Sequence, residues 1–154
     1  MPDLSDLVVP TAVAAGVSVT SRKPLVPLAA GIAAAAYALD RTVVAEALAA
    51  REKLGSTGFG GGVAIPHAKL AAVERPLGAF LRLEAPVAFG AIDDLPVDLV
   101  FVLLSPLAAG ADHLKALARV SRALRDKAFV AKLRGAGSAD AIYALLAGGE
   151  ADVG

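Results

Sequence analysis

The segment VDLVFVLL, from Val97 to Leu104, carries one charged residue among eight and is otherwise apolar. A nearly continuous apolar run of this length is typical of a β-strand that is covered on both faces. Ser105-Pro106 follows, and proline ends the strand because it has no N–H to donate to a ladder. The segment therefore predicts a central strand with helices packed above and below it.

Other strand signals lie before this segment. Short apolar or alternating runs predict strands at Val17–Val19, Val63–Ile65, Leu77–Leu83 and Val87–Phe89. The strands after residue 77 follow one another through short links, so part of the sheet is expected to be antiparallel.

Helix signals flank the strands at both ends of the chain. A weak pattern predicts a short helix at Leu4–Leu7, and capping residues predict longer helices from Ser21 to Tyr37, from Asp40 to Gly55, and onward from Asp112, Asp126 and Ser138. The helix after Asp112 is expected to pack through Leu114, Leu117, Ala118 and Leu124. Together these elements predict an α/β fold, a three-layer helix–sheet–helix sandwich around a mixed β-sheet.

Composition limits the possible functions. The 154 residues predict a single domain over 1–154, with a core at about 4–147 and a loose tail at 148–154. Fifteen basic residues balance fifteen acidic ones, which argues against nucleic-acid or anionic-membrane binding. There is no cysteine, so disulfides and thiolate metal sites are excluded. The acidic N-terminus has no signal-peptide pattern, and the uncharged stretch Pro24–Leu39 is shorter than the ~20 residues of a membrane-spanning helix, so we expect a cytoplasmic protein without membrane insertion.

The most distinctive segment is the glycine loop, residues 55–62, which contains five glycines in eight positions. A P-loop requires a lysine where Gly61 stands, and a dinucleotide-binding loop requires a third glycine where Val63 stands, so both nucleotide motifs fail. Two uses of the loop remain open. It can be a flexible connector, or its backbone can turn N–H groups toward an anion and allow a partner to approach closely.

His67 and His113 are the only histidines of the chain. Each taken alone is more often structural than catalytic, but His67 follows a strand and a proline, and His113 lies in the first turn of a helix. Two histidines without cysteine are too few for a hydrolytic zinc site, and no nucleophile elbow is present. A phosphohistidine carrier needs only one neutral imidazole with a free ring nitrogen and a second donor nearby. This interpretation requires no metal and no cofactor.

The segment REKLGSTGFGGGVAIPHAKL, residues 51–70, closely resembles the active-site signature of the EIIA domains of the phosphoenolpyruvate-dependent phosphotransferase system, of the fructose/mannitol type. Similar blocks follow at residues 94–101, at His113-Leu114 and at residues 126–143, and the resemblance covers about residues 4–146. The signature is most similar to the nitrogen-regulatory branch, EIIA-Ntr. Ala68 and Gly61 depart from the common pattern, where glycine and a polar residue are usual.

The resemblance implies a role for each matching residue. His67 is expected to be phosphorylated on Nε2 by a small phosphohistidine carrier, HPr or its nitrogen-branch counterpart NPr. The resemblance also implies that His113 contacts the phosphoryl group and that Arg51 is a charge partner for the phosphate or for the docking protein. The loop that shapes the pocket would contain Ser56, Thr57 and Gly58.

Two functions follow as hypotheses, and they are compatible. The protein is a phosphohistidine carrier, and it is a regulatory module that binds unknown target proteins according to its phosphorylation state. Phe59 and Leu70 flank His67 and are expected to form the apolar rim that docks partners. The alternative is a sugar-transport EIIA component that passes the phosphoryl group to an EIIB. Homo-oligomerisation is left open, and no nucleic-acid partner is expected.

Overall fold

The structure is a computed structural model, and it describes residues 2–149. Six strands and five helices are found in this part of the chain. In chain order they are β1 (Val8–Val17), α1 (Arg22–Tyr37), α2 (Arg41–Lys53), β2 (Gly58–Gly60), β3 (Val63–Ala64), β4 (His67–Leu70), β5 (Leu77–Val87), β6 (Val97–Pro106), α3 (Ala111–Arg125), α4 (Lys127–Gly135) and α5 (Ala139–Leu146).

Strand β6 is the centre of a mixed sheet with the order β1-β5-β6-β3-β2, and β4 also pairs with β6. Strand β5 runs antiparallel to β6, whereas β3 and β4 run parallel to it. Four consecutive residues of β6, from Val100 to Leu103, are each 0% exposed. Because neighbouring side chains of a strand point to opposite faces, both faces are covered. The predicted three-layer fold with a part-antiparallel sheet is confirmed.

Three predicted helix starts are confirmed by side-chain caps. The carboxylate of Asp40 accepts hydrogen bonds from the N–H groups of the first turn of α2, and Asp126 does the same for α4. The Ser138 hydroxyl accepts from the Ala141 N–H at the start of α5. Such caps satisfy N–H groups that have no partner inside the helix. Ser21 precedes α1 as predicted, but its side chain makes no capping hydrogen bond.

The beginning of the chain was predicted wrongly. Leu4–Leu7 forms a turn instead of a short helix, and the strand is β1, of ten residues, instead of Val17–Val19. The sequence of β1 contains Pro10 and Gly16 and lacks regular alternation, so it carries no clear strand signal. It extends because it pairs in parallel with β5, and Pro10 is tolerated because β1 ends the sheet order.

Two short strands near the histidine were also missed. Although proline usually stops strand pairing, β4 begins directly after Pro66 and pairs with β6. The Pro66 carbonyl accepts a hydrogen bond of 2.9 Å from the Leu103 N–H, so the missing donor of proline is not required here. Strand β2 lies inside the glycine loop and pairs with β3. Val87–Phe89 is not a separate strand, since Val87 is the last residue of β5.

The packed face of α3 agrees with the predicted one at the buried Leu124 and at Leu117, which packs against the core, but Leu114 and Ala118 are exposed. Leu114 is 66% exposed, and the buried residues of this helix are His113, Ala116, Val120, Ala123 and Leu124. These positions share one helical face. A search for hydrophobic residues at helical spacing overlooks this face because it includes a histidine. Leu114 therefore lies on the surface beside the buried histidine.

The loose tail predicted at 148–154 lies mostly outside the described residues. Gly148 and Gly149 are described, and their N–H groups donate to the carbonyls of Leu145 and Ala144. Among the helices of residues 2–149, none has the length and hydrophobicity needed to cross a membrane.

Substituting alanine for Gly78 is expected to destabilise the protein by about 1–3 kcal/mol, the usual cost of overpacking a core. An added Cβ would lie 2.5 Å from Cζ of Phe101, whose ring is fully buried. Urea unfolding measures the change in the free energy of unfolding. Gly137→Ala is the matched control, because no atom lies within 4 Å of its added Cβ. Equal stability of the two variants would contradict this account.

Candidate functional site

His67 is the first residue of β4, and its backbone lies opposite Leu103 of β6. Its Nδ1 lies 2.7 Å from the carbonyl oxygen of Ile65. A carbonyl can only accept, so Nδ1 carries the ring proton and donates it. In a neutral His67 the Nε2 atom is therefore unprotonated and has a lone pair. This nitrogen is the one that the family resemblance assigns to phosphorylation.

Arg51 brings a positive charge to that lone pair. It lies in the last turn of α2, and its Nε donates to Nε2 of His67 at 3.3 Å. Its Nη1 donates to the carbonyl of Gly55 at 2.8 Å, which holds the guanidinium in place. The guanidinium is planar and has further N–H donors that match phosphoryl oxygens. The sequence-predicted pair of Arg51 and His67 is thus in contact.

His113 lies beside His67, with the two ring centroids 5.6 Å apart. Rings more than roughly 10 Å apart could not share one phosphoryl group through hydrogen bonds of about 3 Å. The two histidines are well within this limit. His113 is 7% exposed and stands in the first turn of α3. Its Nδ1 lies 2.7 Å from Oγ of Ser105, the serine of the central strand.

Both histidines are held neutral near pH 7. Burial lowers the pKa of His67 below its usual value, and the nearby charge of Arg51 lowers it further. The bond to the Ile65 carbonyl acts in the opposite direction but does not reverse the shift. Burial also lowers the pKa of His113, with smaller contributions from His67 and Lys69. A neutral imidazole is the form that can act as a nucleophile.

We expect both histidine rings to titrate below about pH 6.5, the usual histidine value. Since the unfolded chain takes up protons near that pH and the folded chain only at lower pH, the stability contributed by the neutral rings is present above it. That contribution is lost as the pH falls through the folded-state pKa values. NMR titration of the ring protons, with the urea-unfolded chain as reference, measures the shift. A folded-state pKa at or above the reference for either ring would contradict the burial argument.

A buried carboxylate braces the glycine loop. Glu52 is 8% exposed and accepts hydrogen bonds from the Thr57 hydroxyl and from the Thr57 N–H. Its Oε2 also lies 2.6 Å from Nη2 of Arg22, so the buried carboxylate is paired with a guanidinium. Sequence reasoning did not single out Glu52 or Arg22. The signal for Glu52 was its place beside Arg51, at the end of a helix that leads directly into the loop.

Ser56 and Gly58 hold the loop against the segment that joins β5 to β6. The Ser56 hydroxyl donates to the carbonyl of Phe89 at 2.6 Å and accepts from the Gly58 N–H at 3.1 Å. A Cβ on Gly58 would lie 3.0 Å from Cβ of Ala91, so glycine allows this close approach. Both hydroxyls of the Ser56-Thr57 pair are therefore engaged inside the protein, in supporting positions.

Two loop amides that could have faced an anion are used internally. The Gly61 N–H donates to the Asp93 carboxylate at 3.0 Å, and the Gly58 N–H is engaged with Ser56. A carboxylate at this point of the loop repels an incoming phosphate. These contacts tie the loop to other parts of the chain, so they support neither a flexible connector nor an anion cradle built from these two amides.

Of the two residues predicted to form the docking rim, one is partly exposed and the other is buried. Phe59 is partly exposed, with the guanidinium of Arg125 5.3 Å from its ring centroid. Leu70 is 5% exposed and belongs to the core, so the expectation that it forms a rim is wrong. Its side chain turns inward because β4 is packed into the sheet beside β6. Leu114, the residue after His113 in α3, is an apolar residue that is exposed.

Metal binding finds little support in this geometry. The lone pair of His67 faces the cationic Arg51, which would repel a metal ion. Within residues 2–149, no three His, Asp or Glu side chains are grouped as a metal site requires.

Comparison with known proteins gives consistent results. The sequence model of the family described as "Phosphoenolpyruvate-dependent sugar phosphotransferase system, EIIA 2" matches residues 9–148. A nitrogen regulatory protein of Bradyrhizobium diazoefficiens is 49% identical over 144 residues, covering 94% of this chain and 94% of that protein. A fructose-specific EIIA component of Haloferax volcanii is 42% identical over 108 residues, covering 70% of each chain.

A solved structure shares the fold closely. The crystal structure of nitrogen regulatory protein IIA-Ntr from Neisseria meningitidis is similar with a TM-score of 0.86 and 37% sequence identity. The similarity covers 93% of this chain and 98% of that chain.

Proposed function

Because the chain belongs to the EIIA 2 family of the phosphoenolpyruvate-dependent sugar phosphotransferase system, we propose that it is a phosphohistidine carrier of the nitrogen-regulatory branch. This membership confirms the resemblance carried by residues 51–70. In the proposal, His67 accepts a phosphoryl group from an HPr- or NPr-type carrier, and the phosphorylation state regulates target proteins. The chain acts as one domain in the cytoplasm, where it meets its donor.

The observation that carries the proposal is the bare Nε2 of His67. Its lone pair attacks the phosphorus of the donor phosphohistidine, forming a new N–P bond while the donor's N–P bond breaks. The donor nitrogen recovers its electron pair as the phosphoryl group leaves. No proton has to move, because the proton stays on Nδ1, which donates a hydrogen bond to the Ile65 carbonyl. That carbonyl stabilises the positive charge that the ring acquires.

Electrostatics support the same step. Arg51 already donates to the attacking nitrogen, and a small movement would carry its guanidinium to the arriving phosphoryl oxygens. His113, with its ring centroid 5.6 Å from that of His67, supplies a second donor. Such positioning and charge stabilisation account for most of the catalysis of phosphoryl transfer.

The regulatory part of the proposal rests on the change of charge. A phosphoryl group adds about −2 beside an exposed apolar surface, which is enough to favour one set of protein partners over another. Leu114, on the surface beside His113, and the partly exposed Phe59 are available to such partners. The relative from Bradyrhizobium diazoefficiens is itself named a nitrogen regulatory protein.

The test is a reconstituted transfer. Purified protein is incubated with phosphoenolpyruvate, enzyme I and either HPr or NPr, and the bound phosphate is mapped by mass spectrometry. We expect one acid-labile phosphate on His67. Phosphate on another residue would refute the assignment of His67, and no phosphate with either carrier would refute the carrier role. Pull-downs with the unphosphorylated and phosphorylated forms should then recover different partners, and identical sets would refute the regulatory role.

A sugar-transport EIIA component is the second candidate function. It is favoured by the similarity to the fructose-specific EIIA component of Haloferax volcanii. Rapid transfer from phosphorylated protein to a sugar-specific EIIB would support this candidate over the regulatory one.

A further inference from the structure

Ser105 is a buried polar residue for which the transfer step described above has no use. It lies near the end of β6, opposite Lys69 of β4, and is 0% exposed. Its Oγ lies 2.7 Å from Nδ1 of His113. No other side-chain hydrogen bond of this hydroxyl is found within residues 2–149. Because buried polar groups are rarely left without a hydrogen bond, the hydroxyl depends on this single partner.

The single contact determines where the proton of the His113 ring lies. If Nδ1 donated its proton to Oγ, the hydroxyl hydrogen of Ser105 would remain buried without an acceptor, which costs about 1–3 kcal/mol. If the hydroxyl donates to Nδ1, both groups are satisfied. A neutral His113 then carries its proton on Nε2, which is directed away from the serine.

We propose that Ser105 is a positioning residue that fixes His113 as the Nε2–H tautomer, so that His113 donates a hydrogen bond to the phosphoryl group carried by His67. The inference rests on the proposed function for its purpose, but the tautomer itself does not depend on it. The two neighbouring rings are thereby held in opposite tautomers. A carbonyl keeps the proton of His67 on Nδ1, and a hydroxyl keeps that of His113 on Nε2.

The opposite tautomers separate the chemical roles of two otherwise identical side chains. His67 has its lone pair at Nε2, where it accepts from the Arg51 Nε–H at 3.3 Å, and this nitrogen can form an N–P bond once the guanidinium shifts to the phosphoryl oxygens. In His113 the Nδ1 lone pair is occupied by Ser105 and Nε2 is protonated, so this ring is a donor and a poor nucleophile. Ser105 therefore also directs the phosphoryl group to one histidine when two lie with ring centroids only 5.6 Å apart.

The tautomers are measured directly by long-range ¹H–¹⁵N NMR spectra of the unphosphorylated protein at about pH 8, where both rings are neutral. We expect the Nε2–H pattern for His113 and the Nδ1–H pattern for His67. In Ser105→Ala the His113 signals should move toward a mixture of tautomers, while those of His67 stay unchanged. Ser121→Ala, which removes a hydroxyl elsewhere on α3, is the control and should change neither ring. A His113 ring that keeps the pure Nε2–H pattern in Ser105→Ala would overturn the proposal.

Kinetics test the consequence for transfer. Ser105→Ala should slow phosphorylation of His67 by about tenfold or more at saturating donor, with little change in KM, as is typical when a hydrogen bond that orients an imidazole is lost. In a His113→Gln background the same serine substitution should cause no further loss. An equal loss in both backgrounds would mean that Ser105 acts on structure alone and would overturn the positioning role.

A third variant keeps the test valid if the alanine variant folds poorly. Ser105→Cys retains a side chain of similar size with a weaker donor, and should give an intermediate tautomer ratio. A ratio equal to that of the unsubstituted protein, in folded Ser105→Cys and Ser105→Ala alike, would refute the assignment. If no phosphate reaches His67 in any variant but the tautomer changes as expected, the carrier function fails while the hydrogen-bond assignment stands.

Discussion

Replacing His67 with alanine is expected to abolish the uptake of an acid-labile phosphoryl group from the donor carrier. The substitution removes Nε2 of His67, the nitrogen proposed to form the N–P bond, and the lone pair of His113 is engaged with the buried Ser105. Since a nucleophile that forms the covalent bond has no substitute, the loss should be complete and not merely a slower rate. Transfer of labelled phosphate from HPr or NPr, followed under neutral conditions, measures the effect.

His113→Ala is the matched control for this experiment. It removes the other ring of the pair but leaves the Nε2 lone pair of His67 and its bond to Ile65. Phosphate should therefore still accumulate on His67, at a rate lower by about 10²-fold, as when one donor to a developing charge is deleted. Labelling of His67→Ala at the unsubstituted rate, or complete loss only in His113→Ala, would show that the nucleophile has been assigned to the wrong ring.

Replacing Arg51 with alanine is expected to slow phosphorylation by about 10²–10³-fold. Arg51 is the one cation with a hydrogen bond to the attacking nitrogen, at 3.3 Å, among the described residues. Its removal takes away the charge that meets the phosphoryl oxygens at the moment of transfer. Single-turnover kinetics with excess phosphorylated carrier separate this step from docking, and the loss should appear in the maximal rate.

Lys53→Ala is the control for the charge of Arg51. Lys53 lies in the same last turn of α2 and is exposed, so its removal lowers the local charge equally without touching His67. Its rate should stay within about twofold of the original protein, since exposed charges contribute little. Arg51→Lys should recover only part of the rate, because ammonium lacks the planar fork of guanidinium. Equal losses in Lys53→Ala and Arg51→Ala would indicate a general effect of charge on carrier docking.

The contact between Arg51 and His67 indicates how the proposed phosphorylation of His67 would change the surface. In the unphosphorylated state the guanidinium bridges Nε2 of His67 and the Gly55 carbonyl at the start of the glycine loop. A phosphoryl group on Nε2 must replace this bond, and the strongest new partner for the guanidinium is the phosphoryl group itself. The change therefore begins at the entrance to the loop whose residues Ser56 and Thr57 are braced against the rest of the fold.

The helices could be predicted largely from local signals. Asp40, Asp126 and Ser138 precede their helices and cap them as expected, because a side-chain acceptor at that position serves N–H groups only two or three residues away. The central strand was equally clear, since a strand buried on both faces must be apolar throughout. His67 could be selected through the signature around it.

Strands that depend on distant partners could not be predicted in the same way. Strand β1 has no alternating pattern and exists through pairing with β5, some seventy residues later in the chain. Strand β4 resumes after Pro66 because β6 offers its free edge. The exposure of Leu114 and the burial of Leu70 likewise depend on which elements pack against them.

By itself, the sequence determined the α/β class, the capped helices and the central strand, and it singled out His67 as the proposed phosphorylation site, because each depends on residues close together in the chain. Only the tertiary structure decided which nitrogen of His67 is unprotonated. It also decided that Ser105 lies within hydrogen-bond distance of His113 and that Glu52 accepts hydrogen bonds from the loop. Protonation and orientation depend on hydrogen-bond partners and burial, and the fold supplies many of these from separate elements. His67 is thus the residue that the sequence singles out, and its surroundings leave Nε2 unprotonated, as the proposed transfer requires.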